Sequence, residues 1–262
     1  MTGPCYLGAK GCPVGSRFRF EKLRKTANFQ ANRFVYVPDR IKDNTMQVPF
    51  RCIVPRAALA APSRLVQFGH GPFGTQDEVL RSDVQELAQD ANLTFCAARQ
   101  AGTAQEDLAT LRSALADVSR FPTVADRLQQ GALTSLMLGR LMIHPQGLVR
   151  QGAFRTPTGA PVIDTFTVYS DTISGGAFGG MVTALSPDSV RSSLGTGGMN
   201  HSLMLPRSAD FAPFESTFRA AYPSRVERTL VLSMLQSQWD RGEANGYAQS
   251  LTQDPLESTP LH

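Results

Sequence analysis

The stretch from residue 64 to residue 118 constrains this chain most. Arg64-Leu-Val-Gln-Phe68 is a short apolar run of the kind found in buried strands, and Gly69-His-Gly-Pro-Phe-Gly74 is rich in turn residues. Residues 76–91 then bring Val79, Val84, Leu87, Ala88 and Ala91 near helical spacing. Leu93-Thr-Phe-Cys-Ala97 reads as the next strand, and residues 104–118 as a second helix with Leu108, Leu111, Leu115 and Val118 on one side. Strand, helix, strand, helix in that order predicts an α/β fold, a mostly parallel sheet flanked by helices.

The flanking segments extend the pattern. Residues 33–37 and 46–54 have the β-branched and aromatic content of strands, and Pro49 favours an edge position for the second. Residues 121–143 form a long helical pattern opened by Pro122, expected to be a cap or covering segment over about 121–150. Met137 and Met142 in it suit core filling more than the lining of a lipid-like pocket. Residues 165–169 and 189–194 read as strands, and 176–185, 211–221 and 225–239 as helices. One α/β domain over 33–262 is therefore expected, preceded by a basic, poorly ordered arm over 1–32.

Charge and cysteines bound the function classes. Residues 1–60 hold 11 Lys and Arg against 3 Asp and Glu, so the formal charge of +4 belongs to the leading arm. The run from Arg17 to Lys25 reads as a solvated arm; weak contact with an anionic surface is the lesser alternative, and no nucleic-acid partner is expected. Cys5 and Cys12 flank a Gly-rich turn that a disulfide could close, whereas Cys52 and Cys96 lie in strand-like runs where buried thiols are the ordinary expectation. No cysteine pair has zinc-knuckle spacing, and no phosphate loop, dinucleotide fingerprint or His-Glu-x-x-His is present, so neither metal nor cofactor is expected. No signal peptide or membrane-spanning run is visible.

Chemistry concentrates after the strand at 165–169. A strand that delivers a serine onto a sharp turn leading straight into a helix is a nucleophile elbow, whose helix start offers N–H groups to negative charge. The usual pattern is Gly-x-Ser-x-Gly; here Thr172-Ile-Ser-Gly-Gly176 keeps the glycine at its end but has Thr at its start. Ser174 is the candidate nucleophile. Gly175, with His70 and Gly71 of the early loop, is the candidate oxyanion region. His201 is a lesser candidate base, because in this order of elements the acid precedes the histidine. Arg207, Asp210, Asp240 and Arg241 are expected to make ion pairs or helix-end contacts.

Four stretches resemble a known group: Phe68-Gly-His-Gly-Pro-Phe-Gly-Thr75, the run from Leu115 to Gly131, Gly197-Gly-Met-Asn-His-Ser-Leu-Met-Leu-Pro-Arg-Ser-Ala-Asp-Phe211, and Trp239-Asp-Arg-Gly-Glu-Ala-Asn-Gly-Tyr-Ala248. The chain resembles, over residues 46–262, bacterial and mostly exported α/β-hydrolase-like proteins of undefined activity, related to serine esterases and lipases. The resemblance implies a small ester or lipid-like substrate and an extracellular or periplasmic location. It also exposes two departures. Such proteins carry Gly-Asn-Ser-Gln-Gly-Gly at the elbow, which aligns Ile173 with the serine and Ser174 with the glutamine. They also continue into a further strand and a Gly-Asp-His-Gln-like loop. The chain is thus expected to be an internal fragment lacking a C-terminal strand and helix, weak or inactive as a hydrolase. A non-catalytic scaffold or binding protein is the alternative.

Overall fold

The structure, a computed structural model, describes residues 2–4, 20–22, 36–38, 45–171 and 176–256, with the side chains of 46–165 and 177–256. Its centre is a five-stranded sheet: β1 (Phe50–Ile53), β2 (Ser63–Phe68), β3 (Leu93–Ala98), β4 (Ile163–Asp171) and β5 (Ser189–Ser193). The spatial order is β1-β3-β2-β4-β5. Strands β2 to β5 are parallel to their neighbours and β1 alone is antiparallel. Two short antiparallel pairs stand apart from it, Thr2–Pro4 with Thr45–Gln47 and Phe20–Lys22 with Tyr36–Pro38. The rest of the leading arm lies outside the described residues.

Helices cover both faces, which is why the central strands read as apolar runs and not as an alternation. Helix α1 (Ser82–Ala91) packs Val84 and Ala88 on Val66, Phe68, Phe95 and Ala97. On the other face lie α2 (Leu108–Ala116) and the 22-residue α3 (Pro122–Ile143), whose Leu138 and Met142 meet Leu65, Cys96, Ala98 and Ile163. The period of two is exact here: Leu65 turns to α3, Val66 to α1. Helix α3 thus lies directly on the sheet as a covering helix. Met142 is fully buried in that core, while Met137 is 40% exposed.

The second half of the chain completes the α3 face. Helix α4 (Gly176–Leu185) follows β4, and after β5 come α5 (His201–Met204), α6 (Ala212–Ala221) and α7 (Arg225–Trp239). Ser224 caps α7 by accepting the Glu227 N–H, the signature that Ser224-x-x-Glu227 encodes. Leu115, Phe121, Leu128, Phe178, Met181, Phe214, Leu235 and Trp239 join α2, α3, α4, α6 and α7 in one apolar cluster. The α/β class, with a mostly parallel sheet flanked by helices, is the architecture observed.

One expectation is corrected. Cys52 and Cys96 are not separate buried thiols but a disulfide, because β1 runs antiparallel to β3 in a register that sets the two residues directly opposite each other. Their Cα atoms are 4.1 Å apart, the close spacing of a non-hydrogen-bonded pair. The bond staples the antiparallel edge strand to the parallel sheet. Cys5 and Cys12 lie outside the described residues.

Candidate functional site

Parallel strands send their following loops to one edge of the sheet, where ligands of open α/β folds bind. Three described loops meet that description here: 69–74 after β2, 99–103 after β3 and 194–200 after β5.

The loop after β2 is held by its neighbour. His70 is 1% exposed. Its Nε2 accepts the Gln100 N–H at 3.0 Å, so the proton sits on Nδ1, which donates to the Gly71 carbonyl at 2.8 Å. Both ring nitrogens are satisfied in a neutral tautomer. Burial lowers the His70 pKa below its ordinary value, only partly opposed by the Gly71 carbonyl and the acids Glu78, Glu106 and Asp107. The Phe73 N–H donates to Thr103 O at 2.6 Å and the Gly74 N–H to Gly71 O at 3.0 Å. The Gly71 N–H donates to Glu78 Oε2 at 3.0 Å.

Beneath this loop runs a buried polar band unusual for a core. Gln100 Nε2 donates to Ser135 Oγ at 2.8 Å and Gln67 Nε2 to the Ser135 carbonyl at 2.8 Å, tying β2 and the loop after β3 to α3. Asp107 accepts the Gly102 and Ala104 N–H groups and pairs with Arg127 of α3. Burial raises the Asp107 pKa, against the lowering effect of Arg127. Gly102 has φ +89°, and a Cβ there would lie 2.6 Å from the Leu128 nitrogen, so the approach of this loop to α3 needs glycine.

The loop after β5 is built around another histidine. Asn200, left-handed at φ 68°, caps α5 by accepting the Leu203 N–H. His201, the first residue of α5, sets Nδ1 2.6 Å from Glu243 Oε2 and donates its backbone N–H to Oε1 at 3.2 Å. Glu243 is fully buried and also accepts from Gln236 Nε2. Burial, the largest single influence, opposes its ionisation, but the side chain and backbone N–H of His201 and the Gln236 amide together outweigh it and lower its pKa. The His201 ring stacks on Trp239 at 5.6 Å, and 28% of its side chain stays exposed. A partly exposed imidazole oriented by a buried carboxylate has the geometry of an acid–base unit.

The sequence-derived candidates thus divide. His70 and Gly71 are in the loop after β2 at the carboxyl edge, and His201 follows the loop after β5, two strands away in the sheet. Ser174 and Gly175, with Thr172 and Ile173, lie outside the described residues. Sequence reasoning did not single out Glu78 or Glu243 as site residues, since each meets its partner only through the fold. Arg241 pairs with Asp126 at 3.0 Å, Asp240 accepts from Gln236 and Asn245, Arg207 donates to the Leu203 carbonyl and Asp210 bonds Ser208. These are ion-pair and helix-end contacts. Among the described residues no group of His, Cys, Asp and Glu could hold a metal ion, and no helix is long and apolar enough to cross a membrane.

Among solved structures, the chain is similar to acetyl xylan esterase 1 from Thermoanaerobacterium sp. JW/SL YS485, at 12% identity and a TM-score of 0.47, covering 96% of this chain and 77% of that one. No family model matches the chain, and no curated protein does either.

Proposed function

We propose that this chain is an α/β-hydrolase-fold protein related to serine esterases and lipases, with weak or no hydrolysis in this form. One observation carries the reading: the glycine loop after β2 lies at the carboxyl edge of a parallel sheet, and β4, parallel to β2, ends with Asp171 opposite Phe68, three residues before Ser174 in the sequence, the order of elements such enzymes use. When such a site works, the serine attacks an acyl carbon and backbone N–H groups hold the oxyanion. Here the Gly71 N–H is taken by Glu78, and both nitrogens of His70 are engaged. Those contacts and Ile173 in the expected serine position support the low activity.

The substrate class is a small ester or lipid-like acyl compound. The Cys52–Cys96 disulfide favours an oxidising, extracellular or periplasmic location. A non-catalytic scaffold retaining the hydrolase core is the second reading, favoured by Ile173. Turnover of p-nitrophenyl butyrate by this chain and by Ser174→Ala tests the first. We expect both near background; robust turnover lost in Ser174→Ala would overturn the claim of weak activity, while weak turnover unchanged in Ser174→Ala favours the scaffold.

A further inference from the structure

Every backbone N–H that the glycine loop offers from Gly71 to Gly74 is spoken for, but not in the same way. Pro72 has none, and those of Phe73 and Gly74 meet backbone carbonyls fixed by the fold. The Gly71 N–H meets a side chain, the carboxylate of Glu78. That side chain belongs to the single-turn segment Gln76–Leu80 and can rotate without unfolding the loop. The place it occupies is shaped for it: a Cβ on Gly74 would lie 1.6 Å from Glu78 Oε1 and 2.8 Å from its Cδ. Glycine at 74 is what lets the carboxylate lie down.

We propose that Glu78 is a built-in stopper of this loop, its carboxylate occupying the Gly71 N–H that would otherwise meet an external carboxylate or a developing oxyanion. The proposal rests on reading residues 69–74 as an oxyanion-type loop. A carboxylate carries the charge and the oxygen geometry of an ester-hydrolysis product, so it competes with that product directly. No covalent step is involved; the stopper leaves by side-chain rotation and the donor is exposed.

The test uses the full chain as wild type, Glu78→Ala, Gly74→Ala and Glu78→Gln. The Gly71 amide resonance is followed during an acetate titration, and covalent labelling by a fluorophosphonate is timed in the same proteins. Glu78→Ala should show a saturable acetate-dependent shift absent from wild type, with labelling faster by roughly tenfold, below the ~10²-fold worth of a complete oxyanion donor. Gly74→Ala expels the carboxylate sterically and should behave alike, which covers the case of a poorly folded Glu78→Ala. Glu78→Gln keeps an acceptor for the Gly71 N–H and should stay with wild type. An acetate-insensitive Gly71 amide in both folded alanine variants overturns the stopper. Acetate binding in the alanine variants with no labelling of Ser174 in any protein supports the stopper and decides for the non-catalytic scaffold against a residual esterase site.

Discussion

The two histidine loops at the carboxyl edge of the sheet are built on opposite plans. His70 is sealed in, neutral, with each nitrogen given to backbone, and it serves to knit the loop after β2 to the loop after β3. His201 keeps part of its ring in solvent and lies between a buried carboxylate and an indole. The glycine loop that most resembles a catalytic element is thus the one whose polar groups are committed internally. The loop that breaks the expected order carries the histidine with acid–base geometry. A histidine in a glycine loop is therefore not a base by position; what its two nitrogens meet decides its role.

Substitutions that break the first loop, or the loop after β3 to which His70 ties it, should cost most. Asp107→Ala leaves Arg127 buried without its carboxylate and frees the Gly102 and Ala104 N–H groups, so urea unfolding should show a loss of roughly 3–5 kcal/mol. His70→Ala orphans the Gln100 N–H and opens a cavity, for about 2–3 kcal/mol in the same experiment. His201→Ala should cost about 1–2 kcal/mol, because Glu243 retains the residue-201 backbone N–H and Gln236. A His201→Ala loss that exceeds the His70→Ala loss would reverse the comparison.

Acid sharpens the contrast with a smaller effect. The folded pKa of His70 lies below its unfolded value of about 6.5, so as pH falls past that point the unfolded chain takes a proton that the folded chain refuses. Stability should decline from about pH 6.5 downward and level off below the folded pKa. Glu243 has its folded pKa lowered, so its contribution is present above the ordinary carboxylate range and is lost only as pH falls through the folded value. Chemical denaturation across pH should show the first limb vanish in His70→Gln and persist in His201→Gln.

Much of the frame was legible in the residues. The helices at 176–185 and 225–239 begin and end where their residue patterns placed them. Residues 64–68 and 93–97 announced buried strands because both faces are covered. What stayed hidden depends on register or distance in sequence. Cys52 and Cys96 looked like separate thiols because the antiparallel pairing of β1 with β3 has no local signal. Glu243 meets His201 across 42 residues, and Glu78 meets Gly71 only because the chain turns twice between them. The segment before residue 82 read as one helix from 76, yet a 3-10 turn capped by Thr75 comes first and places Glu78 over the loop.

The most direct test of the account is fluorophosphonate labelling of the wild-type chain, read by intact mass beside Ser174→Ala. Slow, sub-stoichiometric modification is expected under conditions that saturate an activated serine. Rapid stoichiometric labelling of wild type, abolished in Ser174→Ala, would contradict it.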